Sequence, residues 1–202
     1  MENYIIQHCK NLNDLDCLFA FMSIHLNFDI KNCIYVQSRK DELKLQFARD
    51  KSMLIFIRNE DGDIIAGLSM KHSDNDEITL GMLAVGTRCR RQGIGRKLVE
   101  YVENLCALRG YKQISLGART SSANFYIQMN YEPILMVELF GDNSIYALDE
   151  FIRSTYKLKC VSMETGNKKA FYSIDNVDEQ MIDRLSTTFT EAEVQFVFTK
   201  NI

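Results

Sequence analysis

The chain has 202 residues, 46% of them hydrophobic and 25% charged, which is the composition of a soluble globular protein long enough for one good core plus an appendage. A net charge of −3 and a pI near 5.7 argue against nucleic acid as a partner, because phosphate neutralisation needs clustered positive charge. No apolar run approaches bilayer length, and the N-terminus has no basic stretch followed by a long apolar one, so no membrane partner is expected and a cytoplasmic location is.

Tyr4 to His8 reads as a first strand, and Leu15, Leu18, Phe19, Met22 and Leu26 give helical spacing across residues 11–28. Ser38, with Asp41 and Glu42 behind it, predicts the capped start of a second helix running to about Asp50. Met53 to Arg58 and Ile64 to Lys71 read as strands joined by the turn residues Asn59-Glu60-Asp61-Gly62. After the polar loop Ser73 to Asp76, a third long strand is predicted from Glu77 to Val85. A helix with the apolar stripe Ile94, Leu98, Val102, Leu105 and Cys106 then ends at Gly110. Gln113 to Ala118 is a strand, Thr120 to Asn130 a short helix, and Ile134 to Phe140 a strand after Pro133, the only proline.

The tail reads as a helix over Ser144 to Tyr156, strands at Lys157 to Met163 and Ala170 to Ile174, a helix over Val177 to Phe189 and a strand at Glu193 to Thr199. Counted from Ile134, this is the order βαββαβ of a ferredoxin-like unit. The expected organisation is an α/β main domain over residues 1–141 and an α/β extension over 142–202, packed on the main sheet or completing it.

Between the third strand and the third helix lies Leu83-Ala84-Val85-Gly86-Thr87-Arg88-Cys89-Arg90-Arg91-Gln92-Gly93-Ile94-Gly95-Arg96. The first N–H groups of a helix have no intrahelical partner, and the helix dipole adds positive character, so an anion fits there. Gly93 and Gly95 remove the Cβ atoms that would hold a diphosphate away, while Arg88, Arg90, Arg91 and Arg96 concentrate charge in an otherwise acidic chain. A dinucleotide fingerprint would place a third glycine where Leu98 stands, and no G-K-[ST] tripeptide marks a Walker loop.

Arg90-Arg91-Gln92-Gly93-Ile94-Gly95 resembles the R/Q-x-x-G-x-G/A signature of the Gcn5-related N-acetyltransferases (GNAT), and the similar span runs from about residue 77 to 132. The resemblance implies that fold, with a mixed sheet flanked by helices, and acetyl-CoA as acyl donor. The cofactor would be held by Leu83, Ala84, Val85, Arg90, Arg91, Gln92, Gly93, Ile94, Gly95 and Arg96, the strand acting through its backbone and the loop on the pyrophosphate. Ala123-Asn124-Phe125-Tyr126-Ile127-Gln128-Met129-Asn130-Tyr131 is similar to the family's A-x-x-F-Y-x-x-x-G-F element, with Asn-Tyr for Gly-Phe. By that likeness Tyr126 is the acid that protonates the departing thiolate, and Asn124 touches the cofactor arm. The family's strand glutamate falls at Thr79 here, leaving Glu77, two residues earlier on the same strand face, to act through a water.

The expected partner is a small-molecule or peptide amine, entering beside the N-terminal helices and the segment from Asp29 to Gln37. The tail is free to line that pocket, to form a homodimer contact or to sense a ligand. The six cysteines and three histidines show no zinc spacing, so no metal is expected. The competing assignment is a non-catalytic acyl-CoA-binding regulatory module, from which the Tyr126 element separates an enzyme.

Overall fold

The computed structural model describes residues 4–28, 31–73, 76–140, 145–164 and 167–202. The expected entry at Asp29, the middle of the Ser73 to Asp76 loop, the helix start at Ser144 and the Thr165-Gly166 turn lie outside the described residues. By internal contacts the chain divides into two compact units, residues 1–114 with 202, and residues 115–201.

In the first unit, Ile6–His8 (β1), Leu54–Arg58 (β2), Ile64–His72 (β3) and Glu77–Val85 (β4) form an antiparallel sheet in that order. Leu12–His25 (α1) begins at Asn11, whose side chain accepts the Asp14 N–H at 2.9 Å. Leu15, Leu18 and Met22 of α1 pack with Leu54, Phe56 and Ala84 of the sheet. The helix lies so close over β3 that a side chain at Gly67 would overlap Leu18. Ile94–Leu108 (α3) buries Ile94, Leu98, Val99, Val102 and Cys106, and Gly110 closes it with φ 81° and the Tyr111 N–H on the Cys106 carbonyl.

Cys33–Arg49 (α2) starts five residues before the expected Ser38. Asn32 is the cap: its side-chain oxygen accepts the Tyr35 N–H at 3.0 Å, and Ser38 sits inside the helix. Asn32 offers the same chemistry as Ser38 but lies before a segment with no strong apolar period, so the pattern placed the start too late.

Gln113–Ala118 (β5) carries the chain into the second unit, followed by Thr120–Ile127 (α4), Glu132–Leu139 (β6), Ile145–Ile152 (α5), Lys157–Glu164 (β7), Asn167–Ser173 (β8), Glu179–Thr188 (α6) and Ala192–Asn201 (β9). The strands here lie in the order β5-β9-β6-β8-β7, with β6 antiparallel to both β9 and β8, and β7 antiparallel to β8. From β6 onward this is a split βαβ pair, the ferredoxin-like arrangement that the element order predicted. Leu148 and Ile152 of α5, Met181 and Leu185 of α6, and Tyr172, Phe196 and Phe198 of the strands form its core. A boundary at residue 141 would cut β6 from both of its neighbours, whereas the contacts divide after Ile114.

Asn32→Ala is expected to lower stability by about 1 kcal/mol, and Ser38→Ala by less than about 0.5 kcal/mol. Urea unfolding of the two variants checks which residue caps α2.

Candidate functional site

The segment after β4 makes one 3-10 turn over Thr87–Cys89 and then enters α3 through two left-handed residues, Arg91 at φ 62° and Gly93 at φ 78°. Glycine takes that conformation freely, but arginine pays about 1–2 kcal/mol. Such a cost in a basic loop points to a functional constraint on backbone direction. Nothing lies within 4 Å of the place a Cβ on Gly93 would occupy, and the N-cap has no side-chain hydrogen bond. The first helical bond across this end is Lys97 N–H to the Gly93 carbonyl at 3.0 Å. Among the described residues, the N–H groups of residues 91 to 96 have no acceptor in the protein. Residues 91, 92 and 93 are exposed. Unpaired donors at a helix N-terminus, the first three of them on exposed residues, form an anion cradle in physical terms.

The basic side chains divide into two groups. Arg90 turns back, its Nε donating to the Val85 carbonyl at 3.1 Å, and Gln92 donates from Nε2 to the Arg88 carbonyl at 3.1 Å. These two fix the shape of the loop. Arg88 and Arg91 are exposed and, among the described residues, have no ion-pair partner; Arg96 is held loosely by Glu100 at 3.9 Å. Ile94 is buried and anchors the first turn, while Gly95 lies within it.

The phase of β4 follows from one bond, the Gly86 N–H on the Ile65 carbonyl at 2.8 Å. Bonded and non-bonded pairs alternate in an antiparallel ladder, and Val85 faces Ala66 while Leu83 faces Leu68. The N–H and C=O of Leu83 and Val85 therefore point away from β3. Ala84 belongs to the bonded pair with Gly67, so its backbone serves the sheet and its side chain the core.

Upstream, the β3–β4 register slips between Ser69 and Met70, with Gly81 as the extra residue. Ser69, the buried polar side chain of this region, fills the gap by accepting the Met82 N–H on its Oγ at 3.1 Å. The sequence reading missed this bulge; its available signal was a glycine inside an apolar strand opposite a lone serine. Glu77 opens β4 six residues before Leu83, about 20 Å along the strand at ~3.3 Å per residue. Thr79 shares a hydrogen bond with Ser73 at 2.6 Å.

In the second unit, α4 turns Ala123 and Tyr126 inward and leaves Asn124 exposed. Tyr126 is 7% exposed, stacked edge-on to Phe125 and Tyr131 and tilted against Phe198. Burial pushes its hydroxyl up to about 12, so it stays protonated where a free phenol would ionise. Asn130 ends the helix at φ 62°, with the Tyr131 N–H on the Tyr126 carbonyl at 3.1 Å, the left-handed cap expected of Asn in a glycine position. No group of side chains suited to a metal occurs among the described residues, and no described helix is long and apolar enough to cross a membrane.

An uncapped, glycine-opened helix start thus follows a strand whose Leu83 and Val85 backbone groups point away from β3. The GNAT acetyltransferase family model matches residues 23–131, and the chain belongs to that family, whose members are acetyl-CoA-dependent N-acetyltransferases. No curated protein matches it. Among solved structures it is similar to a Pyrococcus horikoshii protein assigned as an acetyltransferase, with TM-score 0.61 and 12% identity over 100% of this chain and 90% of that one. A Staphylococcus aureus Mu50 acetyltransferase of the GNAT family gives TM-score 0.56 and 18% identity over 85% and 98%. The diaminobutyrate acetyltransferase EctA of Paenibacillus lautus, solved with L-2,4-diaminobutyric acid and coenzyme A, gives 0.53 and 12% over 87% and 99%. At these identities the likeness establishes the fold.

Ser69→Ala is expected to strand the Met82 N–H and cost about 1–3 kcal/mol of stability. Ser69→Thr, which keeps the acceptor, should recover part of that loss in the same thermal melts.

Proposed function

We propose that this chain transfers an acetyl group from acetyl-CoA to a primary amine by direct attack, without a covalent enzyme intermediate. The observation that carries the proposal is the set of unpaired amides over residues 91 to 96, which begins on three exposed residues, 91 to 93. They would bind the pyrophosphate, with Arg88, Arg91 and Arg96 adding charge and Arg90 and Gln92 holding the loop in shape.

Leu83 and Val85 offer outward backbone groups to the pantetheine amides, as a neighbouring strand would. The Leu83 N–H is the proposed donor to the oxyanion, and its rigidity within the sheet supplies the preorganisation such a donor needs. The amine nitrogen attacks the thioester carbonyl carbon, and the C–S bond breaks as the tetrahedral centre collapses. Tyr126 gives its hydroxyl proton to the leaving sulfur and is reprotonated from solvent. Its high pKa keeps the proton in place until the thiolate forms, at the cost of a weaker driving force than an ordinary phenol would give. The amine's own proton leaves by water. Glu77 enters only as the distant end of that chain, because the rise of β4 denies it direct contact at Leu83. Asn124, exposed on α4, is proposed to touch the cofactor arm.

The proposed acceptor is a small-molecule amine, the class to which the diaminobutyrate bound by the Paenibacillus enzyme belongs. Acetyl-CoA consumption against diamines, amino acids, aminoglycosides and peptide N-termini tests the activity, and no turnover with any amine would contradict it.

Gly93→Glu is expected to abolish coenzyme A binding by calorimetry, since it places bulk and negative charge among the open amides. Tyr126→Phe is expected to lower kcat by about 100-fold or more while cofactor affinity changes little. The wild-type pH profile should show no alkaline fall from Tyr126 until its pKa of about 12 is approached. Glu77→Gln should cost less than about tenfold in kcat, below the range for a base in direct contact.

A further inference from the structure

The free edge of the second unit carries a surface that acetyl transfer does not use. We propose that β7 is a self-association surface, to which a second copy of this chain adds its own β7 antiparallel about a two-fold axis at Ser162.

β7 ends the strand order of the second unit and pairs with β8 alone, so a row of its backbone N–H and C=O groups faces no strand. The two halves of the strand differ. Lys157 and Lys159 are exposed in the first half, and the register slips between Leu158 and Cys160; both are devices that keep an edge from pairing. From Cys160 to Met163 the strand has no charge, no proline and no slip. Among the described residues of the second unit, the exposed large apolar side chains are Tyr146, Val161 and Met163, at 70%, 44% and 65%. Val161 lies opposite Ala170 and Met163 opposite Lys168, on the sheet face that carries buried Ala170 and Tyr172. β6 and β7 both run antiparallel to β8, so α5 returns between two parallel strands and its first turn, with Tyr146, lies at the Met163 end of β7. Apolar residues exposed singly need no explanation, but a group of them along an unpaired edge marks an interface.

The occupant follows from symmetry. A two-fold axis normal to a sheet keeps every side chain on its own face, so the residue on the axis opposes itself and the others pair at equal steps to either side. With Ser162 on the axis, Val161 of one copy meets Met163 of the other, and Met163 meets Val161. Both exposed apolar positions are covered, while Lys157 and Lys159 fall beyond the paired stretch of residues 160–164. An axis at Val161 would set Met163 against Lys159, and one at Cys160 would set Val161 against Lys159 and Met163 against Lys157. The strand therefore complements itself in one register, with no like charges opposed. So short a pairing falls below the roughly 1,200 Å² of a standard interface, which makes the dimer weak and concentration-dependent.

Sedimentation equilibrium of the full chain between about 1 and 200 µM tests this, with a monomer–dimer Kd of about 10–100 µM expected. Val161→Lys and Met163→Glu should each weaken the dimer by about tenfold or more. Combined in one chain they should restore it at low salt, because the register sets the two changed positions, now of opposite charge, against each other across the axis. A merely structural loss would not be recovered in this way. Ile34→Lys, at an equally exposed apolar position on α2, should leave the dimer unchanged. Ser162→Cys in a Cys160→Ser background should give a covalent dimer on oxidation. A monomer throughout the concentration range, a dimer indifferent to both single variants, or a double variant that stays monomeric would overturn the proposal.

Discussion

The constraint on which this molecule's chemistry depends is the bare N-terminus of α3. A helix start has orphan donors by geometry, and most proteins answer them with a Ser, Thr, Asp or Asn side chain. Here the N-cap is Gly93, which has no side chain to offer, and the chain reaches it through a left-handed arginine. Both features cost stability, and both leave the donors open. Asn11, Asn32 and Asp178 each close a helix start with a side-chain oxygen, while α4 starts at Arg119 without a side-chain cap but also without glycine.

The neighbouring elements serve that arrangement in distinct ways. Buried Ile94 fixes the first turn of α3 into the core. Arg90 and Gln92 hold the loop by its own carbonyls, so two of the residues that look like anion ligands in the sequence act first as braces. The Gly81 bulge, plugged by Ser69, resets the register of β4 just before the residues whose amides point outward. Without it, the same strand would turn a different set of backbone groups away from β3.

Much of this was legible in the sequence where one local rule acts alone. The G-x-G loop, the stripe of α3, the Gly110 cap and the Asn130 cap each depend on a few adjacent residues with a definite conformational preference. The ferredoxin-like order of β6 to β9 was readable for a similar reason, since the alternation of periods fixes element order. Features decided by long-range pairing were hidden. The bulge depends on how β3 and β4 align, and the division after Ile114 on which strands share neighbours. The start of α2 was lost because two capping residues, Asn32 and Ser38, compete in the sequence and only packing chooses between them.

The central claim concerns particular backbone atoms, so the most direct measurement observes them: amide 1H–15N spectra of the 15N-labelled chain titrated with coenzyme A. The account predicts that the amides of residues 91 to 96 shift most, in a saturable manner, and exchange more slowly with solvent once the diphosphate is bound. Saturable binding that leaves those amides unmoved would contradict it.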